Sequence, residues 1–228
     1  WFVDISYAMT GRYRGGPAKT AILASGLMGM ISGSSAANVV TTGSFTIPLM
    51  KKTGYKPHVA AAVEAVASSG GMFTPPIMGA GAFIMAEYIG VPYTEVAMAA
   101  VLPALLYYFS VVMSVDAIAV KTGLKGLRKE ELPLVREVMK ERGIFVIPIL
   151  CLLVLIFIGF SPIKSAFYSI ISIVIVACFK TETRPNFQNL TEALATGSSS
   201  VLSIVATCAT AGIIVGVLSM TGLGAKLS

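Results

Sequence analysis

Between Ala18 and Met50 the chain runs through small and apolar residues, broken near the middle by Ser32, Gly33, Ser34, Ser35 and Asn38. Basic residues stand at both ends: Arg12, Arg14 and Lys19 at the start, Lys51, Lys52 and Lys56 after the end. Such a run can be one irregular membrane span, two spans, or a hairpin that enters and leaves on the same side. Cytoplasmic loops collect Lys and Arg, so both ends belong on that side and a single crossing is disfavoured. Two crossings need a second arm of about 30 Å. Positions 41 to 50 supply only about 15 Å at 1.5 Å per residue. A re-entrant hairpin over residues 18–50 meets both conditions.

The rest of the chain supports a membrane setting. Charged residues make up 12% of it, against about 25% in a soluble domain. Apolar stretches of spanning length lie at about Val59–Ile89, Glu95–Val120, Ile144–Phe160, Ile163–Phe179 and Ser198–Leu223. The expected fold is therefore all-α and polytopic. Gly70-Gly71 and Pro75-Pro76 interrupt the first of these stretches and predict a broken helix there. Placed in order, the spans leave all but Lys164 and Lys226 of the 17 basic residues on the cytoplasmic side. The charged linker Lys121–Arg142 carries Leu132, Val135, Val138 and Met139 at helical spacing, the pattern of an amphipathic helix lying on the membrane surface.

Several function classes lose support here. The net charge is +6, yet the basic residues form clusters at loop ends and not the stripe a nucleic-acid partner requires. Cys151, Cys178 and Cys208 lie in apolar runs without metal-ligand spacing and read as small buried hydrophobes. His58 is the one histidine, which disfavours a His-based metal site, and no cofactor is expected. A membrane-embedded enzyme needs a cluster of titratable groups at one depth, and only Glu64 sits well inside a span. Glu64 is either a functional acid or faces cytoplasmic water through a cavity. Asp116 and Glu87 read as interfacial, Tyr88 and Tyr93 as aromatic-belt residues, and Tyr107-Tyr108-Phe109 as packing.

Irregular backbone inside a membrane must be packed in protein or line a solvated cavity. Ser25, Gly29 and Gly33 form a small-residue face suited to close helix approach, and Ala60, Ala61, Ala62, Ala65 and Ala67 offer another. The topology brings two polar breaks to similar depth: Ser32–Asn38, and Ser68-Ser69-Gly70-Gly71 with Thr74-Pro75-Pro76. Gly and Ser also serve packing in membrane helices. The pairing of two breaks points to a site where carbonyls and hydroxyls hold a hard cation and helix N-termini face an anion.

The run Ile31-Ser-Gly-Ser-Ser-Ala-Ala-Asn38, with Thr42-Gly-Ser-Phe-Thr-Ile-Pro-Leu-Met50 and Lys52-Thr-Gly-Tyr55, resembles the large membrane subunit of the tripartite ATP-independent periplasmic (TRAP) transporters. It is most like the fused permease of the TAXI branch. Ala65-Val-Ala-Ser-Ser-Gly-Gly71, Pro75-Pro-Ile-Met-Gly79, Ala82-Phe-Ile-Met-Ala-Glu87 and Leu102-Pro-Ala-Leu-Leu-Tyr-Tyr108 extend the match. The resemblance implies an inverted-repeat elevator transporter of the inner membrane that imports a small organic acid with Na⁺. It implies a periplasmic binding protein that delivers substrate and a small membrane subunit, fused in the full-length chain. On this reading the tip and the break form half of the ion and substrate site. Ion contacts fall to Ser32, Gly33, Ser34, Asn38, Ser69, Gly70 and Thr74, and substrate contacts to Ser35, Asn38, Gly71, Met72 and Pro75. Met72 departs from the pattern, since this branch often has a polar residue such as glutamine there.

The implied organisation is a preceding segment (1–17), the hairpin (18–50), the broken helix with its following span (51–120) and the linker (121–142). An arm-like pair (143–180) and the opening of a second repeat (181–228) follow. The chain starts at Trp1 and stops at Ser228 just after an apolar run, and is expected to be an excerpt of a longer protein. Rival readings are a proton-coupled organic-acid transporter and a non-transporting membrane scaffold. Cysteines introduced at Thr10 and Thr53 are expected to label from the same side of the membrane in the full-length protein; labelling from opposite sides rules out the hairpin.

Overall fold

The computed structural model describes residues 2–124, 126–127, 138–139, 143–179 and 186–221. Every regular element among them is helical. The surface helix expected in the linker falls largely outside the described residues. By its contacts the chain divides into two units, Trp1–Ile173 and Val174–Ser228.

The first unit opens with α1 (Phe2–Thr10) and turns at Gly15 into α2 (Gly16–Ser32). Pro17 sits in the first turn of α2, where its missing N–H removes no helical bond. At the far end Gly33 has φ 62° and its N–H donates to the Gly29 carbonyl at 2.9 Å. This is the left-handed stop that glycine takes without strain. Ser34 then caps the next helix, its side chain accepting from the Ala37 N–H at 3.3 Å. The chain therefore reverses over Gly33-Ser34 and returns as α3 (Ser35–Lys52), which places Lys51 and Lys52 in the last turn, where they complement the helix dipole.

The hairpin is present, but its second arm is longer than the sequence suggested. α3 has 18 residues, about 27 Å of helix, where positions 41 to 50 gave about 15 Å. Ser35 and Asn38, expected in the tip, belong to α3 because the Ser34 cap starts the helix before them. The length constraint against two crossings therefore falls away, and the matched basic ends remain as its topological support.

α4 (Pro57–Gly71) packs against both arms of the hairpin. Ala18, Ala21, Ala60 and Ala67 are fully buried at the contact, and Ile22, Met50, Tyr55, Val63 and Val115 complete the cluster. Small residues let the three backbones come close without a hydrophobic gap between them. The predicted break follows over residues 72–79. Pro75 and Pro76 supply no N–H there and cannot continue the helix. The chain resumes as α5 (Ala80–Ile89) and, after Gly90 (φ 73°), as α6 (Tyr93–Thr122). α6 has 30 residues, about 45 Å of helix, and among the described residues it is the helix long and apolar enough to cross a membrane. Leu102, Leu105, Leu106 and Phe109 are exposed along it.

A short 3₁₀ turn (Gly143–Phe145) leads into α7 (Val146–Phe157), and α8 (Pro162–Phe179) follows. α7 has 12 residues, about 18 Å, shorter than the span expected over 144–160. Gly159 (φ 98°) and Ser161-Pro162 end it and restart the chain as α8. Ser169 on α8 donates to the Pro148 carbonyl on α7 at 2.9 Å. Cys151 is half-buried and Cys178 is exposed, so the burial expected of the cysteines does not hold for Cys178. Ile171, Ile173 and Ile175 on the same helix are exposed as well. The side chain of Cys208 lies outside the described residues. In the second unit, α9 (Phe187–Thr221) has 35 residues and starts before the span expected at Ser198. The run from Phe187 to Thr196 holds no glycine or proline to stop it.

Backbone contact between helices makes a sharp prediction. A Cβ at Gly71 would stand 2.5 Å from the Gly29 Cα, whereas one at Gly81 meets nothing within 4 Å. Gly71→Ala is expected to destabilise the full-length protein by about 1–3 kcal/mol. Gly81→Ala is expected to be neutral or slightly stabilising. Thermal unfolding of the purified variants checks both.

Candidate functional site

The hairpin tip lies on the break in the neighbouring helix. A Cβ at Gly33 would meet the Gly79 Cα at 3.1 Å, and one at Gly29 the Gly71 Cα at 2.9 Å. These paired glycines mark where four helix ends converge. α2 and α4 arrive with their C-termini, while α3 and α5 leave with their N-termini. C-terminal carbonyls carry partial negative charge and N-terminal amides partial positive charge. The junction therefore offers oxygen ligands to a cation and N–H donors to an anion within one small region.

The expected site residues occupy different positions around this junction. Gly33, Ser34 and Ser35 are half-buried at the turn, and Ser32 is exposed beside them. Asn38 lies one turn into α3 and is 1% exposed. Its Nδ2 donates to the Ser25 carbonyl at 2.8 Å. Its Oδ1 is buried with no hydrogen-bond partner among the described residues. On the other side Gly70 and Gly71 are buried, Thr74 and Pro75 are half-buried, and Ser69 and Met72 are exposed. Ser69 donates to its own helix at the Ala65 carbonyl (2.9 Å) and Thr74 to the Gly70 carbonyl (2.7 Å). Ser68, read with this break, is turned away from it toward Glu64.

Glu64 is the centre of a second cluster, one helical turn and more below the junction. It is fully buried, which removes the reading in which it faces cytoplasmic water. Its carboxyl accepts from a hydroxyl on each of three helices. Ser25 on α2 donates to Oε1 at 2.6 Å, and Thr42 on α3 donates to the same oxygen. Thr46 on α3 donates to Oε2 at 2.5 Å, and Ser68 on α4 reaches Oε1 at 3.3 Å. Gly43 makes room for the side chain, since a Cβ there would lie 3.1 Å from the Glu64 Cγ. A buried carboxyl without hydrogen bonds costs several kcal/mol; here hydroxyl donors replace the lost water. The sequence carried a signal for this cluster. Asn38, Thr42 and Thr46 recur every four residues and share one face of α3.

Tyrosines brace the break. Tyr93 is 8% exposed, so it is not a belt residue. Its hydroxyl donates to the Pro76 carbonyl at 3.0 Å and also contacts the Ile77 carbonyl, and its ring stacks on Phe83 at 4.4 Å. The irregular segment leaves these carbonyls outside any helix, and the phenol supplies the missing donor. Tyr107 and Tyr108 do more than pack, for they donate to the Val66 and Ala67 carbonyls at 2.8 and 2.9 Å. Gly70 leaves space for both rings. Near the opposite end, Asp116 on α6 is held by Arg14 and Lys19, each at 2.5 Å. That pairing ties the start of the hairpin to α6.

The family model for the tripartite ATP-independent periplasmic transporter, DctM component, matches residues 1–228. The chain is 32% identical over 131 residues to the C4-dicarboxylate TRAP transporter large permease protein DctM of Vibrio cholerae, covering 56% of this chain and 27% of that protein. To the protein of the same description from Pseudomonas aeruginosa it is 35% identical over 107 residues, 46% of this chain and 24% of that one. An uncharacterized Sinorhizobium fredii protein, y4mL, is 30% identical over 168 residues, 73% of this chain and 39% of its own length. The chain thus spans well under half the length of each of these relatives. The two named relatives are transporter permeases and not enzymes. With all of its residues inside one family model, the chain belongs to the DctM-component family of the tripartite ATP-independent periplasmic transporters.

Proposed function

We propose that the chain forms the first-repeat half of the transport core in a secondary transporter that imports a small organic acid with Na⁺. Membership of the family makes it part of an integral membrane permease of the inner membrane. The observation that carries the finer reading is the junction itself. Two helix C-termini and two helix N-termini meet where Gly29 lies on Gly71 and Gly33 on Gly79. Beside it Asn38 holds a buried amide oxygen without a partner among the described residues. A hard cation takes oxygen ligands of this kind, and a carboxylate substrate is attracted to the helix N-termini.

On this reading Asn38 and the carbonyls around Gly33 and Gly70 serve the ion. Ser35, Gly71, Met72 and Pro75 lie toward the substrate. The hairpin is re-entrant, and the chain crosses the membrane several times. Residues 143–180 form an arm between two inverted repeats, and the hairpin with its broken helix moves as an elevator. A periplasmic binding protein delivers the acid. The motifs around the hairpin favour the TAXI branch, with the small subunit fused in the full-length protein. The C4-dicarboxylate naming of the Vibrio and Pseudomonas relatives supports a small organic acid as the cargo class.

The test is uptake of a labelled dicarboxylate by the full-length transporter in proteoliposomes with its binding protein. At fixed pH, replacing Na⁺ by K⁺ is expected to lower initial uptake about tenfold, within the roughly 5–150-fold range of coupling between two sites. Uptake that is unchanged in K⁺ overturns Na⁺ coupling.

A further inference from the structure

We propose that Tyr93 is a positioning residue for the hairpin–break junction: its hydroxyl decides which backbone oxygens of the break face the hairpin tip. Its part in transport rests on the reading of the junction as the transport site.

The break is a closed segment that is short of donors. Its ends are joined by the Gly79 N–H, which donates to the Met72 carbonyl at 2.6 Å. Pro75 and Pro76 have no N–H to give. Carbonyls that the segment cannot satisfy itself need a donor from another element. Tyr93, at the start of α6, supplies it. Its hydroxyl stands 3.0 Å from the Pro76 oxygen and also contacts the Ile77 oxygen, so one proton serves two consecutive carbonyls.

The next carbonyl faces the tip. A Cβ at Gly33 would meet the Met78 carbonyl oxygen at 3.2 Å, and one at Gly79 would meet the Gly33 oxygen at 3.0 Å and the Met72 oxygen at 3.3 Å. The oxygens of Gly33, Met72 and Met78 therefore lie against the glycines that join tip and break, while those of Pro76 and Ile77 are turned to Tyr93. Met72 already accepts from Gly79. The Gly33 and Met78 oxygens are the ones this arrangement presents at the contact.

Met78 makes this turn at a cost. Its φ is 56°, a left-handed value that residues with a side chain rarely adopt. Such backbone persists only where its surroundings over-determine it. Two contacts do so here. The Met78 side chain, 3% exposed, is buried in one cluster with Ala86, Tyr93 and Ile156, which keys the break to α5, α6 and α7. The Tyr93 hydroxyl holds the two carbonyls just before it, and Phe83, stacked on the ring at 4.4 Å, fixes the tilt of the phenol. Without the hydroxyl the segment is held by packing alone, and the Met78 oxygen keeps its place against Gly33 for a smaller fraction of the time. Apparent affinity falls with the fraction of molecules in the binding-competent arrangement, and saturating ligand restores it. The loss therefore falls on half-saturation and not on the maximal rate.

Tyr93→Phe in the full-length protein tests this, with Tyr55→Phe as the comparison. Tyr55 is also buried and loses a hydroxyl bonded to a carbonyl, that of Gly15 at 3.4 Å, but away from the break. In nanodiscs without Na⁺ or substrate, amide hydrogen exchange over residues 72–79 is expected to rise about three- to tenfold in Tyr93→Phe, the worth of one hydrogen bond. In proteoliposomes with the binding protein and a labelled dicarboxylate, half-saturating Na⁺ is expected to rise by the same factor, with the maximal rate within about twofold of wild type. Tyr55→Phe is expected to match wild type in both. Unchanged exchange in Tyr93→Phe overturns the proposal. So does raised exchange with unchanged half-saturation, or an equal effect in Tyr55→Phe. If Tyr93→Phe does not fold, Phe83→Leu, which removes the stacked ring and keeps the hydroxyl, carries both measurements with the same direction expected. Wild-type uptake indifferent to Na⁺ sinks the Na⁺ reading alone; half-saturation is then read against the dicarboxylate, and exchange is unaffected.

Discussion

A carboxyl group buried among three helices has to be given hydrogen bonds or it unfolds what surrounds it. Glu64 receives them from Ser25, Thr42, Thr46 and Ser68. That requirement explains features that look unrelated in the sequence. α3 is polar along one face because that face meets Glu64. Gly43 lacks a side chain because the Glu64 stem passes over it. α2 contributes a serine in the middle of an otherwise small and apolar contact. The network fixes the height of the hairpin against α4. The same alignment sets Gly29 on Gly71 and Gly33 on Gly79 further along. The tip and the break meet because the carboxyl and its donors meet.

Much of this arrangement was legible in the sequence wherever a single residue forces a backbone outcome. The polar run Ser32–Asn38 reads as the tip of a hairpin, and the chain reverses within it, at Gly33-Ser34. Pro75-Pro76 reads as a break, and α4 ends ahead of it. Matched basic clusters indicated a re-entrant hairpin; the structure has the helical reversal, and the re-entrance belongs to the proposed reading. The errors arose where a polar residue has two roles. Asn38 and Ser35 suggested a loop, because polar residues within an apolar run usually mean irregular backbone. They are helical because their polarity is answered sideways, by the neighbouring helices. Tyr93 suggested an interfacial belt for the same reason. Its ring and hydroxyl are satisfied inside the protein, by Phe83 and by carbonyls that the break leaves free.

Glu64 was visible as an acid inside an apolar helix, but its partners lie 18 to 39 positions away in sequence for Thr46, Thr42 and Ser25. Pattern along one helix cannot pair residues across three. The spacing of Asn38, Thr42 and Thr46 was the available clue. It gains meaning only when set beside Ser25 and Ser68, which bring hydroxyls from two other helices to the same carboxyl. The junction and the cluster are linked through Asn38, whose carbonyl accepts from Thr42 and whose amide donates to the Ser25 carbonyl.

The claim on which the rest stands is that Glu64 and its hydroxyl donors hold α3 to α4. A double-mutant cycle between Glu64→Leu and Thr46→Val, read by unfolding of the full-length protein, measures that bond directly. Residues in one hydrogen-bond network couple by about 0.5–3 kcal/mol. Here a coupling of at least about 1 kcal/mol is predicted, as expected for a hydrogen bond to a carboxylate. Additive effects of the two substitutions, within about 0.3 kcal/mol, would contradict the account.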